Sequence, residues 1–460
     1  MFFYKKTIAS LVTAPITQNV ALIRISGSQT YSIITQIFDR SLPKYPQKKP
    51  QLIFGKIVNS QKEVIDEVLL LCFYKPRSFT GEDVVEISCH GNLFVVNQII
   101  ELILNQGAEL AEPGEFTKQA FFNGKLNLVQ AQAINDLIRA PSLPAAKIAL
   151  HNLNASSQKE LDLLEKEVSD ISATIEAKII YPEEEEIQQL TERELIARLG
   201  DLKKKLLEVQ LSGERASSYQ KGIKVVIIGK PNVGKSTFLN SLCQEEKAIV
   251  SPIAGTTRDV IEVPYILKGI PLTLLDTAGI HETQDIVERI GVERSYQSLE
   301  KADIVFFLTD NSLLWSQEDE NLYQKVKKKN YLLIVNKIDA ASQLSVPPYI
   351  DIKKIIHVSA KNNKLEELEN KISEIFASNL ITNLSAYPYL SQAWQQSKLK
   401  EVIAKIDEVI SGLKKKEIYL DALATCELKW IWETIRELSG KECSREELLN
   451  IIFSKFCLGK

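Results

Sequence analysis

Gly229-Lys230-Pro231-Asn232-Val233-Gly234-Lys235-Ser236 forms a GxxxxGKS run, and residue types in that spacing do phosphate chemistry. The glycines let the backbone curl so that successive N–H groups face a β-phosphate, Lys235 neutralises β- and γ-oxygens, and the Ser236 hydroxyl can ligate Mg2+. An apolar strand is predicted before the loop (Ile223 to Ile228) and a helix after it (Thr237 to Leu242), the context such a loop requires. Twenty-one residues beyond Ser236 stands Thr257, in Gly255-Thr256-Thr257-Arg258-Asp259, suited to a switch loop whose threonine senses Mg2+ and the γ-phosphate. A strand at Leu272 to Leu275 then delivers Asp276-Thr277-Ala278-Gly279, where Asp276 can hold the metal's hydration shell and the Gly279 N–H can meet the γ-phosphate. Strands at Tyr331 to Val335 and Ile355 to Val358 present Asn336-Lys337-Ile338-Asp339 and Ser359-Ala360-Lys361. Asp339 can accept from both guanine N1–H and the exocyclic amine, a donor pair adenine lacks, so GTP is the expected nucleotide.

These five motifs, in this order, resemble those of the translation-factor-like branch of small G proteins, which implies a mostly parallel sheet with the nucleotide at the carboxyl ends of its strands. Where Ras-like proteins place a water-orienting glutamine, this chain has Ile280, which carries no polar side-chain atom. Another group must orient the water. Arg258, Glu282, Asp285 and Glu288 are the candidates, and each reads equally as a solvated loop charge. Asn232 places an amide oxygen where a cationic finger normally enters, so a monovalent cation in an oxygen cage could supply the missing positive charge. A loop-stabilising hydrogen bond is the other reading of Asn232. His281 reads as a surface residue rather than a proton shuttle.

The elements that position these residues extend on both sides. At roughly 150 residues per domain, 460 residues imply about three domains. Residues 1–120 alternate strands (Thr7 to Val12, Val20 to Ser26, Gln51 to Val58, Glu67 to Tyr74, Val84 to Cys89) with a helix from Asn92 to Leu104, an α+β domain. Residues 121–221 carry helical spacing, as in Leu161, Leu164, Val168, Ile171 and Ile175, interrupted at Tyr181-Pro182 before the acidic run Glu183 to Glu186. Residues 222–378 alternate β and α, and helical periodicity resumes over 379–460. Each helical flank alone would expose an apolar face. The expectation is therefore one α-helical bundle built from two chain segments, with an α/β P-loop domain inserted between them.

With 45% hydrophobic and 25% charged residues and a net charge of -3, composition excludes collagen, a disordered chain and any global field for capturing nucleic acid. The lysine triples 203–205, 327–329 and 414–416 are the obvious local phosphate contacts, although such runs usually mark solvated helix faces. The six cysteines and four histidines are scattered without CxxC pairing, which speaks against a zinc site or a disulfide framework. Nowhere do 18 apolar residues run together, so a cytoplasmic protein with no membrane association is expected.

Asn232, the segment Ala248-Ile249-Val250-Ser251-Pro252-Ile253-Ala254-Gly255-Thr256-Thr257-Arg258-Asp259 and the terminal Phe456-Cys457-Leu458-Gly459-Lys460 together resemble the MnmE (TrmE) family of tRNA-uridine-modifying GTPases. Ser78-Phe79-Thr80-Gly81-Glu82-Asp83, Pro113-Gly114-Glu115-Phe116-Thr117 and Asn123-Gly124-Lys125-Leu126 extend the likeness over essentially the whole chain. The resemblance implies a K+-activated GTPase that dimerises across its G domains. K+ would be held by the Asn232 side chain with Ser251, Ile253 and Thr256, and Mg2+ by Ser236 and Thr257. Glu288 matches the family glutamate that helps position the water, which selects it from the four candidates.

The resemblance further implies a formyl-tetrahydrofolate one-carbon donor held by Arg24, Glu86, Lys125 and Lys460, with Arg24 and the lysines suited to folate's carboxylate and Glu86 to the donor face of its ring. Thr13 to Ala21 (TAPITQNVA) departs from the glycine-rich stretch the family has there. Cys457 reads either as a reactive thiol near the donor or as a bystander. The implied role is modification of wobble uridine U34 at C5 to the carboxymethylaminomethyl form, within a homodimer joined by the flavoprotein MnmG (GidA) in a heterotetramer. The competing expectation is a GTP-gated ribosome-assembly or signalling switch without one-carbon chemistry. The absence of a KH-like GXXG loop and of a basic tail speaks against it.

Overall fold

Period-two patterning in the first hundred residues resolves into a six-stranded sheet. In the computed structural model, which describes residues 6–42, 49–180, 191–244, 263–268, 270–275, 299–300, 302–377, 387–415, 423–440, 449, 452–454, 456 and 459, these strands are β1 (Ile8–Leu11), β2 (Val20–Ser26), β3 (Gln51–Val58), β4 (Val64–Phe73), β5 (Val84–His90) and β6 (Glu109–Leu110). Their order is β3-β4-β5-β2-β1-β6, antiparallel except for the β1–β6 pair. The helices α1 (Thr30–Ile37) and α2 (Leu93–Asn105) share one core with the sheet, Ile33, Ile34, Val96, Ile99 and Ile103 meeting Ile23, Ile25, Leu70 and Ile87. The predicted strands stand where the pattern puts them. Helix α1 is not anticipated by the pattern: it has eight residues, no acid in its first turn and no side-chain cap, so the usual start signals are missing.

The second sheet has the order β12-β11-β10-β7-β9-β8. Its strands are β7 (Ile223–Gly229), β8 (Val263–Leu267), β9 (Ile270–Leu275), β10 (Ile304–Asp310), β11 (Tyr331–Asn336) and β12 (Ile355–His357), with helices α8 (Lys235–Gln244), α9 (Gln317–Val326) and α10 (Glu366–Ala377). Every strand pair is parallel except β8–β9, as the motif order implied. Strand β10 is buried at all seven positions, as parallel strands covered on both faces must be. Phe306 and Leu308 point to the side of Phe238 and Leu368, while Val305 and Phe307 point to that of Tyr323 and Val326. Each parallel strand ends at the same edge, so the loops that leave β7, β11 and β12 gather there.

Long helices make up the rest: α3 (Glu115–Phe122), α4 (Leu128–Ile138), α5 (Leu143–Leu153), α6 (Ala155–Ile180), α7 (Glu192–Lys221), α11 (Ala393–Lys415) and α12 (Lys429–Ser439), the last preceded by a π-helical turn at Leu423–Leu428. The Leu161, Leu164, Val168, Ile171 and Ile175 stripe of α6 is buried. Helix α12 packs on α6, where Arg436 lies 3.6 Å from Glu165 and Gln158 donates to the Ser439 carbonyl at 3.4 Å. Helix α7 begins with a capping box, Glu194 N–H to Thr191 Oγ1 at 3.2 Å and Thr191 N–H to Glu194 at 2.9 Å. Ile148 of α5 and Ala216 and Tyr219 of α7 form a small core with Tyr389. Helices from before and after the α/β segment therefore share cores, and the fold is the expected one: an α+β N-terminal part, a helical bundle from two chain segments and an inserted α/β P-loop domain.

Internal packing divides the chain into two units, Met1–Asn135 with Asn152–Leu202 and Ala404–Lys460, and Asp136–His151 with Lys203–Ile403. No helix among the described residues is long and apolar enough to cross a membrane. The interruption expected at Tyr181-Pro182 and the run Glu183 to Glu186 lie outside the described residues.

Candidate nucleotide site

Three loops from one sheet edge build the site, and side chains from the second and third hold the first in shape. The phosphate loop leaves β7 at Gly229 and enters α8 at Lys235. A Cβ on Gly229 would stand 2.5 Å from the Leu308 carbonyl of β10, and one on Gly234, whose φ is +93°, 2.6 Å from Asn336 Nδ2. Both positions therefore need glycine. Ser236 and Thr237 are exposed in the first turn of α8, where free N–H groups and the helix dipole favour an anion. Lys235 folds onto its own loop, its ammonium 2.8 Å from the Gly229 carbonyl and 2.7 Å from that of Lys230.

Asn336, at the end of β11 and buried, ties the loops together. Its Nδ2 donates to the Val233 carbonyl at 3.0 Å and its Oδ1 accepts from the Ala360 N–H at 3.1 Å. Lys337, with φ +62°, donates to the Asn232 carbonyl at 2.9 Å and pairs with Asp310 at 2.6 Å. Asp310, the last residue of β10, does not stand out in the sequence. Its one signal there is an acid ending a strand that is otherwise apolar except for Thr309. Burial works to raise the Asp310 carboxyl, but hydrogen bonds from Lys337 and Ser312 outweigh it and hold the pKa below the usual range.

Asp339 is the residue expected at the base. Ser359, buried two residues beyond β12, donates its hydroxyl to Asp339 Oδ1 at 2.5 Å. That bond first, and the residue's own backbone N–H second, hold the Asp339 carboxyl below the ordinary range, so it is ionised and acceptor-only at neutral pH. One oxygen is oriented by Ser359, and Lys361 adds a favourable charge nearby. A carboxylate oriented in this way discriminates a ring that presents two adjacent N–H donors.

Asn232 has φ +65°, a left-handed conformation that asparagine tolerates better than most residues. Its side chain is exposed and makes no hydrogen bond among the described residues, so the loop-stabilising alternative for this residue does not form there. Its amide oxygen is open to an ion, and the Ser236 hydroxyl, likewise exposed and unbonded among those residues, suits a hard cation. Ser251, Pro252, Ile253, Ala254, Gly255, Thr256, Thr257, Asp276, Thr277, Ala278, Gly279 and Glu288 lie outside the described residues, as do Arg258, Glu282 and Asp285.

Known proteins share both the sequence and the order of these parts. Residues 7–125 match the family described as GTP-binding protein TrmE N-terminus, and residues 128–457 match the MnmE helical domain. The chain belongs to the MnmE family. Family members similar to it include proteins named tRNA modification GTPase MnmE from Enterococcus faecalis, 38% identical over 99% of this chain and 98% of its own, and from Bacillus thuringiensis, 37% identical over 99% of both. The Clostridioides difficile member is 38% identical over 100% of both chains. Among solved structures, Era with MgGDPNP and a 16S ribosomal RNA fragment matches 34% of this chain and 55% of its own at 33% identity with a TM-score of 0.25, too partial a likeness to speak to fold or function.

Of the four residues that the MnmE resemblance implies for the one-carbon donor, Arg24 and Glu86 fall in the N-terminal sheet. Arg24 of β2 and Glu86 of β5 face each other in register, paired at 2.7 Å with side chains 12% and 17% exposed. The Arg24 guanidinium also donates to the Gly459 carbonyl at 3.2 Å and sits 5.4 and 5.5 Å from the ring centroids of Phe79 and Phe116. The carboxyl-terminal Gly459 is thus brought to the two sheet residues. Both contacts to Glu86 use Oε1, leaving Oε2 without a partner among the described residues, an acceptor suited to a ring N–H. Arg24, expected to meet a carboxylate, is engaged with Glu86. Lys125 donates to the Pro76 carbonyl at 3.1 Å. Lys460 and Cys457 lie outside the described residues.

Proposed function

We propose that this tRNA-modifying GTPase is activated by K+ and serves C5 carboxymethylaminomethylation of wobble uridine U34, using a formyl-tetrahydrofolate one-carbon unit and a flavoprotein partner, MnmG (GidA), in a heterotetramer with its own homodimer. The observation that carries the reading is the joint one of an Asp339 carboxylate oriented by Ser359 on the sheet edge where Asn336 ties the Ala360 loop to the phosphate loop, in a chain whose relatives named tRNA modification GTPase align with it end to end.

Asn232, Ser251, Ile253 and Thr256 would hold K+, which supplies the positive charge that a cationic finger gives other GTPases. Ser236 and Thr257 would hold Mg2+, which neutralises charge on the β- and γ-oxygens. Glu288 orients the attacking water by hydrogen bonding, in place of the polar side chain that Ile280 lacks. In the N-terminal sheet, Glu86 Oε2 accepts from the folate ring, Arg24 keeps Glu86 in position, and Lys125 and Lys460 meet the carboxylate. The open Oε2 and the flanking Phe79 and Phe116 rings support this arrangement.

Nucleoside mass spectrometry of total tRNA tests the role. Cells lacking this protein are expected to lose most C5-carboxymethylaminomethyl uridine, with restoration by the intact gene. Normal levels of the modified nucleoside would reject the pathway and favour a GTP-gated assembly switch instead.

A further inference from the structure

The second residue of the phosphate loop has a partner that phosphate chemistry does not explain. The Lys230 ammonium leaves the loop and enters the head of α9, 2.6 Å from Asp319 Oδ2 and 3.0 Å from Ser316 Oγ. The Lys230 side chain is 12% exposed and that of Asp319 1%, so this ion pair is shielded from water and screened little by salt. Asp319 has a local duty already: its Oδ2 accepts from the Ser316 N–H at 2.9 Å and the Ser316 hydroxyl at 2.8 Å, closing the capping box of α9. A capping box needs no lysine from another loop. Nor does one explain why all three donors converge on Oδ2 while Oδ1, buried, has no partner among the described residues.

The main chain of the same residue does something else. The Lys230 carbonyl receives the Lys235 ammonium at 2.7 Å, so Lys230 grips α9 with its side chain and the phosphate-neutralising lysine with its backbone. We propose that Lys230 is a positioning residue of the phosphate loop: its clamp on Asp319 fixes the loop segment on which Lys235 docks, so a carboxylate on α9 sets how tightly guanine nucleotide is held. The inference deepens the nucleotide-site reading and rests on it. A loop held in its binding shape by a buried anchor loses less freedom when phosphate arrives, which appears as slower release.

Dissociation of mant-GDP from the full-length protein, followed by stopped flow, tests this. Lys230→Met is expected to release mant-GDP about tenfold faster, the lower end of what a charge-assisted hydrogen bond contributes, and to raise the KM for GTP while kcat falls little. Lys230→Arg is expected to release it no faster than the wild type, because the guanidinium fork can reach Oδ1 as well as Oδ2. That variant decides the matter even if the methionine variant does not fold. Wild-type release from a folded Lys230→Met, or release from Lys230→Arg about tenfold faster than from the wild type, overturns the proposal. A wild-type protein that fails to retain mant-GDP at all would instead show that the nucleotide-site reading itself is wrong.

Discussion

Asp339→Asn is expected to weaken GTP and GDP binding by on the order of a thousandfold and to move the preference towards xanthine nucleotides. The carboxylate offers two acceptor oxygens to guanine N1–H and the C2 amine, and a site built to bond both donors rejects a partner that leaves one unpaired. The asparagine amide would set an N–H against the guanine amine, donor against donor. Xanthine carries a carbonyl at C2 and restores one acceptor and one donor in register. Titration with mant-GDP and mant-XDP checks both halves of the expectation, and undiminished GDP affinity in the variant would remove Asp339 from the base site. The pH dependence has a definite sign. Because the Ser359 hydroxyl holds the Asp339 carboxyl low, the acceptor form persists as pH falls from 7, and its contribution to GDP affinity is lost only below the ordinary carboxylate range.

Glu288→Ala is expected to lower kcat by on the order of a hundredfold or more, the usual scale for a group that positions or polarises an attacking water, while GDP affinity stays near the wild-type value. Ile280 follows Asp276-Thr277-Ala278-Gly279 where Ras-like proteins place glutamine, and an aliphatic side chain cannot hold a water. An interaction made only in the transition state lowers kcat without lowering ground-state affinity. Single-turnover hydrolysis beside mant-GDP titration separates the two. Unchanged turnover would return the role to Arg258, Glu282 or Asp285.

Much of the fold and of the nucleotide site is legible in the residues themselves, for reasons that differ by region. The nucleotide motifs are short and ordered, so their order specifies both the parallel sheet and the edge where Asn336 and Lys337 meet the phosphate loop. Strands β2 and β3 can be read from their runs of apolar, Val- and Ile-containing residues. What escapes is the set of partners. Asp310 and Asp319 sit 81 and 90 residues beyond Gly229 in the chain, and nothing in the spacing shows that Lys337 reaches the first and Lys230 the second. The Arg24–Glu86 pair is of the same kind: each side chain suits a folate on its own, and only the β2–β5 register reveals that they face each other. Helix α1 lacks the start signals that make α7 readable, with its Thr191–Glu194 box. Local chemistry is written in sequence, whereas long-range pairing is a property of topology.

In the proposed mechanism a captured alkali cation, coordinated in part by Asn232, stands in for the catalytic side chain that Ile280 cannot supply. Steady-state GTP turnover at matched ionic strength, with K+ replaced by Na+, tests it most directly in the wild type and in Asn232→Ala. The wild type is expected to turn over GTP at least about tenfold faster in K+, consistent with removal of one preorganised positive charge from the transition state, and the variant to lose most of that difference. Equal wild-type rates in the two salts, or a K+ advantage that survives intact in Asn232→Ala, would contradict the account.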